Sequence, residues 1–204
     1  MPIREEAFPF AGPLAVLAGI LGAFGFYAWA AFFLFAALCV CAFFRDPERR
    51  APDDPNLLVS PADGRIVAVS VDGANTRISV FMSVFNVHVN RAPSDGSVTS
   101  TVYNPGKFMA AWSEKASLDN EQIRIAFETP RGAMDVVMIA GLIARRIVCW
   151  ASPDARFQRG ERIGLIRFGS RVDLYLPTAR IEPIVRIGDR VKAGETAVAA
   201  WKDR

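Results

Sequence analysis

A chain of 204 residues with a net charge of +3 and 51% hydrophobic residues has room for one domain of ordinary size plus an appendage; two full domains would be cramped. One histidine and three cysteines supply almost no zinc ligands and imply no disulfide framework, so no metal cofactor is expected. The mean hydropathy of +0.21 suggests a greasy globule, yet the hydrophobicity is concentrated near the amino terminus.

From Ala7 to Phe44, 38 positions carry no charged residue, bounded by Glu6 and Arg45. One membrane span needs about 20 apolar residues. The run therefore predicts a tight two-helix hairpin bending at Gly22 and Gly25, or a single span with an interfacial lead. Phe24, Phe26, Tyr27 and Trp29 would sit at the bilayer interface if the bend lies there. Glu5 and Glu6 after Arg4, and the length of the run, argue against a secretory signal. A buried pair of core helices is the alternative, disfavoured by the absence of a polar stripe.

Arg45, Arg49 and Arg50 follow at once, which by the positive-inside tendency places the downstream chain on the cytoplasmic side. Pro47, Pro52 and Pro55 make residues 45–56 an extended linker. The chain thus divides into a membrane-attachment segment (1–44), a linker (45–56) and a β domain (57–204).

Beyond the linker, short alternating runs read as strands over 65–71, 77–85, 98–103, 122–128, 133–139, 143–150, 163–168 and 171–176. Asp72-Gly73, Pro130-Arg131-Gly132 and Arg159-Gly160 separate them as turns. The fold class is mainly β, a compact antiparallel domain behind a hydrophobic helical segment. Residues 107–120 lack a strand period and read as a loop or short helix.

Three motifs permit chemistry. Ser60-Pro61-Ala62-Asp63-Gly64 is turn chemistry ahead of a strand, with a carboxylate in it. Phe85 to Pro93 contains His88, and an imidazole acid or base in this chain can only be that residue. Phe168-Gly169-Ser170-Arg171-Val172-Asp173 places a hydroxyl nucleophile beside a glycine carbonyl that no side chain blocks. A strained turn there would favour an N-to-O acyl shift. Residues 142–180 hold eight Arg and three acids, which points to an anionic partner. With the apolar segment present, that partner is a bilayer surface rather than nucleic acid.

Phe44-Arg45-Asp46-Pro47, Ser60 to Gly64, His88 with Pro93, Asn120-Glu121 and Phe168-Gly169-Ser170 together resemble, in order and spacing, the phosphatidylserine decarboxylase family. The likeness covers nearly the whole chain after Phe43. Compact length and the Gly-Ser-Arg-Val-Asp run resemble the shorter bacterial branch. The longer branch usually has Gly-Ser-Thr and a second histidine two places before the proline. Arg171 and Arg91 stand there instead, which leaves His88 alone for both maturation and turnover.

The resemblance implies a proenzyme that cuts itself between Gly169 and Ser170. The products would be a large chain (1–169) and a small chain (170–204), held together as a heterodimer with room for a higher oligomer. His88, oriented by Asp63, would activate Ser170 in the manner of a Ser-His-Asp triad. Ser170 would become a covalent pyruvoyl group, so neither pyridoxal phosphate nor a metal is needed. Phosphatidylserine in the inner membrane, met from the cytoplasmic face, would form a Schiff base with that group and lose carbon dioxide to give phosphatidylethanolamine. Arginines between Arg145 and Arg180 are candidates for the lipid phosphate.

Read without the resemblance, the same residues also fit a membrane-anchored serine hydrolase using Ser170, His88 and Asp63. Ile187 to Glu195 resembles the hairpin of biotinyl and lipoyl carriers, so a carrier-like β module is a third reading. Its modifiable lysine tip is absent, and the likeness speaks for a barrel-sandwich-like fold.

Overall fold

The computed structural model describes residues 2–106, 120–141, 146–167 and 169–202. It contains two compact units, Met1–Glu48 and Arg49–Arg204.

In the first unit, α1 (Phe8–Ala23) and α2 (Tyr27–Phe43) form a helical hairpin. The reversal sits where the glycines predict it: Gly25 takes φ +80, and Gly25 N–H donates to the Gly22 carbonyl at 3.1 Å. The open ends are tied by Arg4 N–H to Phe44 O and Asp46 N–H to Pro2 O, both 2.9 Å. Phe8, Ile20, Trp29, Phe35 and Leu38 all point outward and exposed. Apolar exposure on this scale suits lipid rather than water. Glu5–Ala23 is long and apolar enough to cross a membrane.

The second unit is built from β1 (Leu57–Val59), β2 (Gly64–Asp72), β3 (Asn75–Met82), β4 (Val89–Arg91), β5 (Gly96–Asn104), β6 (Gln122–Thr129) and β7 (Gly132–Ala140). It continues with β8 (Ile147–Cys149), β9 (Arg156–Phe157), β10 (Arg162–Ile166), β11 (Ser170–Pro177), β12 (Ile181–Pro183), β13 (Arg190–Val191) and β14 (Ala197–Trp201). The strands are antiparallel and form an open eight-stranded sheet, β13-β2-β3-β11-β7-β6-β5-β9, and two three-stranded sheets, β1-β14-β12 and β4-β10-β8. Among the described residues no sheet closes into a barrel, and the arrangement is sandwich-like.

Most of the alternating runs appear as strands within a residue or two of their expected ends. The second stops at Met82, because residues 83–88 turn. Of the run over 143–150, Ile147–Cys149 is a strand, and residues 142–145 lie outside the described residues. So do 107–119, read as a loop, and Phe168.

Alternation builds the core. Ile66, Val80, Val172 and Met138 face one another across β2, β3, β11 and β7, as do Ile78, Leu174 and Val136 in the next row. All seven are 0% exposed. Each such side chain contributes roughly 1.5–3 kcal/mol by leaving water.

Candidate active site

Ser170, Val172, Leu174 and Leu176 occupy the core-facing side of β11 and are all 0% exposed. Ser170 thus holds a place suited to a hydrophobe, opposite Met82 on β3 and Ala140 on β7. Its Oγ donates to Met82 Sδ at 3.4 Å. A thioether is a weak acceptor, so the hydroxyl is held loosely. Gly169, immediately before it, takes φ +62, and a Cβ there would meet nothing within 4 Å. Glycine is required by the left-handed backbone, which costs other residues about 1–2 kcal/mol. The space beside it leaves its flank open.

The chain reverses after β3 through a side-chain turn. Ser83 N–H and Oγ donate to Asn86 Oδ1 at 2.9 and 2.8 Å, and Asn86 N–H donates to Ser83 O at 2.9 Å. This turn delivers His88, 0% exposed, with Nδ1 3.0 Å from the Asn86 carbonyl. A carbonyl can only accept, so Nδ1 donates to it, and Nε2 is the nitrogen left to take up a proton.

Asp63 is 7% exposed. Its Oδ1 accepts the Ala193 N–H at 2.7 Å, and Arg49 Nη2 reaches its two oxygens at 3.3 and 3.0 Å. Arg49 Nη1 also donates to Glu195 Oε2 at 3.0 Å. The Ser60–Gly64 turn is knotted by Ser60 Oγ to Ala62 O at 2.7 Å. Gly64 is needed for close approach, since a Cβ there would lie 2.0 Å from Phe81 O.

One carbonyl joins these pieces. Pro61 O accepts the Arg91 N–H at 2.9 Å and Asn90 Nδ2 at 3.3 Å, tying the Asp63 turn to the strand that follows His88. Asn90 Nδ2 also lies 3.7 Å from Met82 Sδ, the sulfur that Ser170 touches. Ser170, Met82 and Asn90 therefore form one cluster. Asp63 is gripped by Arg49 and Ala193, and His88 is seated on the turn at Asn86.

Sequence reasoning did not single out Asn90, Asn86 or the role of Arg49. Asn90 had a signal, a polar residue between the apolar Val89 and the buried Ala92. Arg49 had none, because its partners lie 14 and 146 positions away.

A model of the family described as phosphatidylserine decarboxylase matches residues 36–199. A protein of Desulfotalea psychrophila named phosphatidylserine decarboxylase proenzyme is 48% identical, over 96% of this chain and 95% of its own. Proteins of the same name from Geobacter sulfurreducens and Geotalea uraniireducens are 47% and 46% identical, over 97% and 96% of this chain and 95% and 94% of theirs. The chain belongs to the phosphatidylserine decarboxylase family. In this decarboxylase the Asn120-Glu121 pair clamps the end of β7: Asn120 Nδ2 donates to Ala140 O at 2.7 Å, and Ala140 N–H donates to Glu121 O at 2.9 Å. Ala140 is the residue opposite Ser170, so the pair sets the strand against which Ser170 lies.

Arg91 and Arg171 are both buried. Arg91 Nη1 donates to Gly160 O at 2.8 Å. Arg171 donates from Nε to Asp173 Oδ1 at 2.6 Å, and from Nη2 to Asp173 Oδ2 at 3.1 Å and Ser79 Oγ at 2.8 Å. Farther along β11, burial and then the Asp173 charge push the Tyr175 hydroxyl up, against the pull of Arg77. Among the described residues, no group of three or more His, Cys, Asp and Glu could hold a metal ion.

Proposed function

We propose that this chain decarboxylates phosphatidylserine to phosphatidylethanolamine through a pyruvoyl group that it makes from Ser170. The reading is carried by the left-handed Gly169 set directly before a fully buried, loosely held Ser170 in a phosphatidylserine decarboxylase framework. Burial suits attack within the chain, the first step of self-cleavage.

Self-cleavage needs only groups of the chain and one water. His88 Nε2 takes the Ser170 Oγ proton, and Oγ attacks the Gly169 carbonyl carbon. The Gly169–Ser170 C–N bond breaks and an ester replaces it. Loss of the Cα proton of residue 170 expels the Gly169 carboxylate and leaves a dehydroalanine, which takes up water and releases ammonia. Asp63, held by Arg49 and Ala193, is the carboxylate assigned to steady the imidazolium.

Asn90 Oδ1 is buried with no hydrogen-bond partner among the described residues. An orphaned acceptor in the Ser170 cluster suits a group that must receive an amine N–H. A pyruvoyl carbonyl at residue 170 would supply the electrophile for the substrate amine and the electron sink for loss of carbon dioxide. His88 then returns a proton to the carbon left behind.

In this reading residues 1–44 attach the protein to the inner membrane and residues 57–204 form the catalytic domain on its cytoplasmic side. Arg45 and Arg50 of the 45–56 linker would supply positive charge at that surface, whereas Arg49 is taken up by Asp63 and Glu195. Mass spectrometry of active protein should find fragments 1–169 and 170–204, the latter with a blocked amino terminus. Ser170→Ala should stay uncut and inactive, and His88→Ala should slow both cleavage and turnover severely. An active chain found only intact, or a 170–204 fragment opening on an unmodified serine, overturns the proposal.

A further inference from the structure

Strand β13 pairs with β2 so that Arg190 and Arg65 stand directly opposite each other. Like charges in that position repel and destabilise a sheet. Both side chains are exposed, and among the described residues neither has a carboxylate partner. They line a cavity of about 530 Å³ together with Lys192, Ser83, Asn86 and Asp63.

The donors and acceptors around this cavity are unequal. Asp63 already receives Arg49 and the Ala193 N–H. Asp189, beside Arg190, accepts the Arg186 N–H at 2.8 Å. Glu195 is shared between Arg49 at 3.0 Å and Lys192 at 3.7 Å. Asn86 accepts through Oδ1, which leaves its amide hydrogens to give. Two guanidinium forks, an ammonium and an amide N–H then face a cavity whose carboxylates are engaged. That set fits an oxyanion, and paired guanidinium planes match the oxygens of a phosphate ester.

We infer that Arg65 and Arg190, with Lys192, bind the phosphodiester of the lipid whose amine reacts at Ser170. The inference rests on the proposed decarboxylase reading and assigns its head-group anchor. It replaces the arginines between Arg145 and Arg180 suggested by sequence. Proximity to the chemistry supports it: the cavity wall includes Asp63, and Asn86, whose carbonyl seats the His88 ring.

The test uses the full mature protein in mixed micelles of phosphatidylserine and neutral detergent. Arg65→Gln, Arg190→Gln and the double variant should still self-cleave, as read by intact mass. Each single change should raise KM by about tenfold, and the double change more, with a smaller effect on kcat. Arg65→Lys should recover part of the loss. Arg124→Gln, at an exposed arginine on β6 of the same sheet, should leave KM alone.

Titration calorimetry with glycerophosphoserine then separates the sources of the anion. Binding by the wild type and its loss in the double variant support the site. Unchanged KM in the double variant overturns it. So does a variant that loses only its sedimentation with phosphatidylglycerol vesicles and keeps its micellar KM, since the pair would then serve the bilayer at large. Glycerophosphoserine binding by a protein that releases no carbon dioxide would uphold the anion site and remove the decarboxylase reading.

Discussion

Two arginine–aspartate pairs in the β unit differ in construction. Arg171 and Asp173 lie two positions apart on β11, with side chains 2% and 0% exposed, joined at 2.6 and 3.1 Å and completed by Ser79. Arg49 and Asp63 come from separate segments; Arg49 also donates to Glu195, Asp63 also accepts the Ala193 N–H, and Asp63 lines an open cavity. Both pair a carboxylate with a guanidinium, but only the second sets its carboxylate in the wall of an open cavity. A closed pair behaves as a clamp on the strand, and an open one as a carboxylate whose charge can be used.

Breaking the closed pair should have the largest effect on the fold. Asp173→Asn leaves the buried guanidinium without that charge and should cost about 3–5 kcal/mol. Urea unfolding of the uncut Ser170→Ala chain, with and without the second change, measures it. A loss well under 1 kcal/mol would erase the contrast between the two pairs.

Arg49→Leu should disturb stability less and chemistry more. Asp63 keeps its backbone donor, but it loses the cation that fixes it, and self-cleavage should slow by about tenfold. Arg49→Lys should recover part of the rate. A gel time course of precursor conversion gives the answer, and an unaltered rate would detach Asp63 from the reaction.

The smallest effect belongs to a half-buried pair that serves neither purpose. Arg124 Nη1 lies 3.2 Å from Asp135 Oδ2, yet burial raises the Asp135 carboxyl above its usual range despite the arginine. A carboxyl raised on folding adds stability below its unfolded pKa and loses it as pH climbs through the folded value. Asp135→Asn should therefore raise Tm by about 2 °C near neutral pH and have no effect in acid. Melting curves across that range check the sign.

Legibility in the sequence followed length and locality. The long strands β2, β3, β5, β6, β7 and β11 carry enough alternation to be read, whereas β1, β4, β9 and β13 are too short to show a period. Gly169, Ser170, His88 and Asp63 stood out by residue type and neighbours. Asn90 hid inside an apolar stretch, and Arg49 looked like a signal of membrane orientation. The Arg65–Arg190 pairing depends on the register of two strands far apart in the chain. Arg171 and Asp173 alternate with the apolar residues of β11, and only the structure shows that both are buried.

The position of Ser170 at the first residue of β11 bears on what a nick would do. β11 is hydrogen-bonded to β3 on one edge and β7 on the other, β13 joins β2, and β14 lies between β1 and β12. A backbone opened ahead of residue 170 would leave the tail woven through two sheets, so the halves could part only by melting the whole unit. Uncut, residues 49–204 form one compact unit. A form cut there, once denatured, would face a two-body search to reassemble, and its persistence would rest on how slowly it unfolds.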